Sequence, residues 1–129
     1  MSAVGATLSP GVAGRHAVNI TLGGYYTCAL LDNADVVCWG QNDQGQLGIG
    51  STSRIGDAPN EMGVNLVKVT FPPGRSCKEV HARWKHACAL LDNDDYVCWG
   101  RGTSGQLGRG TSDVIGDGSN EMGSNLMAI

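Results

Sequence analysis

Short apolar runs separated by polar turns dominate the pattern of this chain. Residues 27–40, TCALLDNADVVCWG, form two apolar runs around a polar centre, which is the sequence form of a β-hairpin. A three-residue loop at residues 32–34 would place Cys28 opposite Cys38. The pattern therefore predicts an antiparallel hairpin with a defined register.

The predicted register gives this hairpin two apolar faces. One face carries Cys28, Leu30, Val36 and Cys38, and the other carries Ala29, Leu31, Val37 and Trp39. A hairpin that is apolar on both sides must lie between two other layers. This requirement favours a blade of a β-propeller, because such a blade packs against another blade on each side. A sheet of a β-sandwich would instead have one solvent-exposed face.

The same pattern returns sixty residues later. The repeated motifs are CALLDN from Cys28 and Cys88, VCWG from Val37 and Val97, and GQLG from Gly45 and Gly105. Half of the positions in residues 20–69 are identical to their counterparts in residues 80–129. A fixed period of this length indicates a duplicated structural unit.

The segments between the hairpins are less regular. Runs of β-forming residues at 66–71 and 78–83 are candidates for further strands, and Pro72-Pro73 between them excludes a central strand. The Gly- and Asn-rich residues 51–65 predict a surface excursion. The predicted units are a flexible N-terminal segment (1–15), a first repeat (16–75) and a truncated second repeat (76–129).

Together these motifs resemble the regulator of chromosome condensation (RCC-type) repeat. The resemblance covers roughly residues 16–129 and rests mainly on the GQLG element and the NDQGQLGIG run at residues 42–50. It implies an all-β fold, two blades of a partial β-propeller with four antiparallel strands each. It also implies architectural roles for Gly40, Gly45, Gly48, Gly100, Gly105 and Gly108. Trp39 and Trp99 are expected to be structural residues that pack between blades.

Two departures from that repeat affect the expectations. Ala34 and Asp94 stand in the hairpin turns where the repeat usually has Gly, and a left-handed conformation would strain Ala by about 1 kcal/mol. Two blades also cannot close a propeller ring, so apolar faces would stay open. We therefore expect a piece of a larger propeller or a subunit that forms a homo-oligomer.

The five cysteines leave two interpretations open. Cross-strand disulfides would join Cys28 to Cys38 and Cys88 to Cys98, with Cys77 free. Alternatively, all five are small buried thiols in a reducing compartment. No secretory signal or membrane-spanning run is visible, which favours a cytoplasmic or nuclear location, whereas paired cysteines would fit an extracellular one.

Composition and spacing argue against several functions. The net charge is −3 and the cationic residues are scattered, which disfavours direct nucleic-acid binding. The cysteine spacing does not fit a metal site, and no cofactor is expected. The histidines do not recur between the repeats, so no catalytic set is repeated. The recurring acids, Asp57, Glu61, Asp117 and Glu121, are expected to stabilise turns.

One cluster, Arg83-Trp84-Lys85, combines an aromatic ring with basic charge and is a candidate for partner binding. The sequence therefore predicts a non-enzymatic module for protein–protein interaction. The RCC-type resemblance also implies one alternative, part of a guanine-nucleotide exchange factor for a small GTPase. A third interpretation is a carbohydrate-binding propeller assembled from two-blade subunits.

Overall fold

The computed structural model describes residues 15–59, 61–62, 66–103, 107, 114–118, 121–126 and 128. Except for Arg15, the predicted flexible N-terminal segment lies outside these residues. The strands are β1 (Ala17–Leu22), β2 (Tyr26–Leu31), β3 (Val36–Gly40), β4 (Cys77–Ala82), β5 (His86–Leu91) and β6 (Tyr96–Gly100). A 3-10 turn covers Gly123–Asn125.

The strands form two antiparallel three-stranded sheets, a first sheet ordered β1-β2-β3 and a second sheet ordered β4-β5-β6. The predicted hairpin register is confirmed, since Cys28 lies opposite Cys38 and Cys88 lies opposite Cys98. In the first turn the Ala34 amide donates to the Leu31 carbonyl at 2.9 Å. The all-β prediction is therefore confirmed.

The strands outside the hairpins differ from their predicted positions. The run at residues 66–71 makes one bridge, between Lys68 and Val37, where a fourth strand was expected. Its Val69 amide reaches the Val36 carbonyl at 2.8 Å, and Pro72 follows too closely for the pairing to extend. The run predicted at 78–83 is β4, shifted by one residue.

The main hydrophobic core lies between the two sheets. Cys28, Leu30, Val36 and Cys38 of the first sheet pack in one cluster with Ala87, Ala89, Leu91, Val97 and Trp99 of the second. Ala29, Leu31 and Val37, on the opposite face of the first sheet, form a smaller cluster with Leu66. The alternation of faces predicted from the sequence thus separates the two clusters, as expected for stacked blades.

Candidate protein-binding surface

The β1–β2 and β4–β5 turns meet at one rim of the two sheets. The Gly24 amide donates to the Trp84 carbonyl at 3.0 Å and joins the two turns. A Cβ atom at Gly24 would lie 2.5 Å from the Trp84 ring and 2.8 Å from its carbonyl oxygen. Any side chain at position 24 would therefore displace Trp84.

This contact places two exposed aromatic rings side by side. Tyr25 is 69% exposed and Trp84 is 58% exposed. Their ring centroids are 5.7 Å apart and the planes are tilted by 59°, which is within the range of favourable aromatic pairs. The sequence identified Trp84 but missed Tyr25, because only the packing of one repeat on the other brings them together.

The two basic residues beside Trp84 differ in their surroundings. Arg83 is exposed, whereas the Lys85 ammonium lies 3.1 Å from the Asp43 carboxylate. Slight burial of Asp43 opposes ionisation, but hydrogen bonds from Lys85 and Gln46 and the Lys85 charge hold the pKa of its carboxyl below the usual value. Lys85 is therefore engaged between the repeats, and Arg83, which adjoins Trp84 in the chain, is the exposed basic residue of this turn.

The histidine next to this cluster is held in its neutral form. His86 is half-buried at the start of β5. Burial, together with the nearby Arg83 charge, lowers its pKa. His86 is therefore neutral at pH 7, and its carbonyl accepts a hydrogen bond from the Tyr26 hydroxyl.

Trp39 and Trp99, both predicted to be architectural, have different environments. Trp99 is fully buried, its indole nitrogen donates to the Gln46 carbonyl at 3.0 Å, and its ring contacts Phe71 edge-on. Trp39 is half-buried and lines an open groove of about 390 Å³ with Tyr25 and Arg54. The same repeat position is thus covered in one sheet and accessible in the other.

The predicted architectural glycines that the structure describes have positive φ values. They are Gly40 (115°), Gly45 (69°), Gly48 (66°) and Gly100 (103°). At Gly48 a Cβ atom would also lie 2.9 Å from the Trp99 indole nitrogen, so this position requires glycine for conformation and for packing. Gly105 and Gly108 lie outside the described residues.

Disulfides join both pairs of facing cysteines. The S–S distance is 2.07 Å for Cys28–Cys38 and 1.99 Å for Cys88–Cys98. Cys77 is free and buried, and burial raises the pKa of its thiol to about 11. A thiol with such a pKa carries little thiolate at neutral pH, so Cys77 is a core residue rather than a nucleophile.

Two of the four recurring acids, Glu61 and Glu121, accept backbone amides of the turns. One carboxylate oxygen of Glu61 accepts the amides of Gly56, Asp57 and Ala58 at 2.8–3.1 Å. Glu121 repeats the arrangement with the amides of Gly116 and Gly118, each at 2.9 Å.

Asn42 organises the GQLG loop, and the sequence reasoning gave it no role. Its buried side-chain amide donates to the carbonyls of Ser51 and Ser53 at 2.8 and 2.9 Å. Its side-chain oxygen accepts the Leu47 amide at 3.0 Å. Gly102 occupies the equivalent position in the second repeat, so this set of bonds belongs to the first repeat alone.

Two negative findings apply to the described part of the chain. Its His, Cys, Asp and Glu side chains form no group of three or more that could hold a metal ion. No helix within these residues is long and apolar enough to cross a membrane.

Comparison with known proteins identifies the repeat. Family models described as the regulator of chromosome condensation (RCC1) repeat match residues 17–46 and 34–90. The chain belongs to the RCC1 repeat family. The ultraviolet-B receptor UVR8 of Arabidopsis thaliana is 34% identical over 89 residues, 69% of this chain and 18% of the receptor. The probable E3 ubiquitin-protein ligase HERC4 of Homo sapiens is 33% identical over 91 residues, 70% of this chain and 8% of the ligase.

Solved RCC1-type structures share the fold. Yeast RCC1 (Prp20), crystallised bound to Kap60, superposes with a TM-score of 0.55 and 24% identity, covering 88% of this chain and 25% of Prp20. Human WBSCR16 gives a TM-score of 0.55 and 19% identity, covering 82% of this chain and 26% of that protein. The chain therefore spans about a quarter or less of each of these RCC1-type proteins.

Proposed function

We propose that these two RCC1-type blades form a non-enzymatic module that binds a protein partner through Tyr25, Arg83 and Trp84. The observation that carries the proposal is the exposed Tyr25–Trp84 pair, to which each repeat contributes one ring. Trp, Tyr and Arg are the residue types most enriched at binding hot spots. Here all three lie at one rim.

The way in which this surface is supported also favours binding. The Gly24–Trp84 backbone bond fixes the two turns relative to each other, and the Lys85–Asp43 ion pair ties the β4–β5 turn to the GQLG loop. A preorganised surface loses less conformational entropy when a partner binds. The exposed rings can therefore bury apolar surface against a partner with little loss of conformational entropy.

The charge of the surface supports one chemistry for the partner. Arg83 is exposed and adjoins Trp84 in the chain, while Lys85 is matched by Asp43. We infer that the partner presents a carboxylate-bearing segment with an apolar or aromatic side chain next to it, because a guanidinium binds a carboxylate bidentately. Work on yeast Prp20 that addressed its binding to Gsp1p and histones is consistent with protein partners for this fold.

Photo-crosslinking on the full chain tests the proposal. A benzophenone amino acid replaces Trp84 in one version and Val67 in the other, since both side chains are 58% exposed. We expect position 84 to capture a discrete partner that Arg83→Glu abolishes, and position 67 not to capture it. Equal capture at both positions, or capture that ignores Arg83→Glu, would contradict the proposal.

Nucleotide exchange is examined in the same preparation. A panel of small GTPases loaded with fluorescent GDP would release nucleotide faster only if the chain acts as an exchange factor. We expect no acceleration by this chain, and acceleration that Trp84→Ala removes would replace the binding-module proposal with the exchange-factor one.

A further inference from the structure

The packing of the first repeat on the second shows how one blade of this chain covers another. It buries Val80 and Ala82 of β4 to 2% and 4% exposure. It also supplies the Gln46 carbonyl to the Trp99 indole nitrogen, and the Gly50 amide to the Gly116 carbonyl at 2.9 Å. One face of the second sheet is thus covered by β1, β2 and the GQLG loop.

The equivalent residues of the first sheet are uncovered. Ile20 and Leu22, which correspond to Val80 and Ala82 sixty residues later, are 58% and 71% exposed. Trp39, which corresponds to Trp99, lines the open groove with Tyr25 and Arg54. We name Ile20, Leu22, Tyr25 and Trp39 the acceptor strip.

The second sheet exposes the complementary side. Leu90 is partly exposed and Tyr96 is 46% exposed, whereas their first-sheet counterparts, Leu30 and Val36, are buried against the second repeat. We name Leu90, Tyr96 and the exposed Thr103, which corresponds to Asp43 of the first repeat, the donor strip. The chain thus carries both halves of an interface that it has already formed once internally.

The charges of the two strips are compatible with a second copy as the occupant. The internal interface pairs Asp43 with Lys85. The corresponding residue in the donor strip is Thr103 and that in the acceptor strip is Tyr25, both exposed and both neutral. Both members of the ion pair are therefore replaced by neutral residues in the two strips. Docking the donor strip on the acceptor strip thus leaves neither an unpaired carboxylate nor an unpaired ammonium at these positions.

We propose that a second copy of this chain docks head to tail, with its donor strip on the acceptor strip of the first copy. The contact reproduces the packing between the two internal blades. It joins different surfaces, so it generates a ring if the rotation closes and an open filament if it does not. Of the three proposed partner-binding residues, Arg83 and Trp84 lie outside both strips, and Tyr25 belongs to the acceptor strip.

Light scattering on the oxidised full chain over a range of concentrations tests the contact. We expect the mass to rise above the monomer, and Leu22→Glu to return it to the monomer. Val67→Glu, a matched control at an exposed apolar site outside both strips, should leave the assembly unchanged. A monomer at every concentration, or an assembly that Leu22→Glu and Val67→Glu affect alike, would overturn the proposal.

A charge-restoration experiment tests the register. Tyr25→Lys alone and Thr103→Asp alone each place one unpaired charge in the contact, and we expect each to weaken association about tenfold. The chain with both changes recreates the Asp43–Lys85 pair between copies and should regain wild-type association. If the double variant is as weak as the single variants, the proposed alignment is wrong. Leu22→Glu and Thr103→Asp leave Tyr25 and Arg83 unchanged, so crosslinking from position 84 in these two variants reports separately on partner binding.

Discussion

At the tip of each hairpin one residue other than glycine has a left-handed backbone. Ala34 has a φ of 73° and Asp94 a φ of 69°. The Asn33 side chain also accepts the Asp35 amide at 3.2 Å, and Asn93 does the same for Asp95 at 3.1 Å. These side-chain bonds stabilise the conformation of the turn. In that conformation the third turn residue has a positive φ in both hairpins, although one is Ala and the other Asp.

Ala34 is therefore a point of strain that a single substitution should relieve. Because glycine has no Cβ, Ala34→Gly should raise the free energy of unfolding by about 1 kcal/mol. Asp94→Gly should gain less, since Asp tolerates the left-handed region better than Ala and the change also removes the ion pair between Lys78 and Asp94. Urea denaturation measures both, and a loss of stability in Ala34→Gly would mean that the alanine methyl makes favourable contacts that outweigh the strain.

The contribution of Glu61 to folding stability depends on pH. The Gly56 amide is the main cause of its lowered pKa; burial opposes the effect, and the amides of Ala58 and Asp57 reinforce it. Because the folded-state pKa is depressed, this stabilisation is present above the unfolded value of about 4.3 and is lost as the pH falls through the folded value.

Replacing Glu61 should therefore matter at neutral pH and not in acid. We expect Glu61→Gln to lower the urea midpoint at pH 7, and the two curves to converge as the pH falls below about 4. Glu79→Gln controls for the change in net charge. A difference that persists unchanged in acid would show that shape rather than charge makes Glu61 important.

At the scale of the strands, what the sequence could predict depended on how local the interaction was. The hairpin register follows from period-two alternation and turn chemistry within residues 27–40, and it was predicted correctly. Strand β1 was not predicted, although Val18, Ile20 and Leu22 alternate with polar or small residues. The Tyr25–Trp84 pair was also missed, because it depends on contacts between residues 59 positions apart, for which a single sequence carries no local signal.

Tyr26 shows how such a nonlocal contact fastens the two sheets. Its buried hydroxyl donates to the His86 carbonyl and accepts the Arg83 amide at 3.3 Å, bridging from β2 to the β4–β5 turn. Burial accordingly raises the pKa of this phenol, which stays protonated at any physiological pH.

Tyr26→Phe should leave the His86 carbonyl and the Arg83 amide without this partner. We expect a loss of about 1–3 kcal/mol in the free energy of unfolding. Tyr25→Phe removes a hydroxyl from an exposed ring and should change stability by less than about 0.5 kcal/mol. Equal effects for the two variants would argue that the Tyr26 bridge contributes nothing to blade packing.

At the scale of the whole molecule, the core determines whether the two blades unfold together. Repeat proteins add nearest-neighbour interface energies to the stability of each unit, so weakly coupled units unfold separately. Here a single cluster of buried side chains contains residues of both sheets. The Trp99 indole of the second sheet also donates a hydrogen bond to the GQLG loop of the first repeat. This cluster therefore contains most of the buried apolar residues of the described chain.

Trp99→Phe tests this coupling against Trp39→Phe, the same substitution at the equivalent position sixty residues earlier. We expect Trp99→Phe to lower stability by about 2 kcal/mol, since it removes a buried hydrogen bond and leaves a void. Trp39 is half-buried, so its variant should lose less. Hydrogen exchange should show β2 and β3 amides losing as much protection in Trp99→Phe as β5 and β6 amides, because the blades open as one unit. A loss confined to β5 and β6 would instead mean that each blade is stable without its neighbour, and the shared core would then serve to align the blades rather than to fold them.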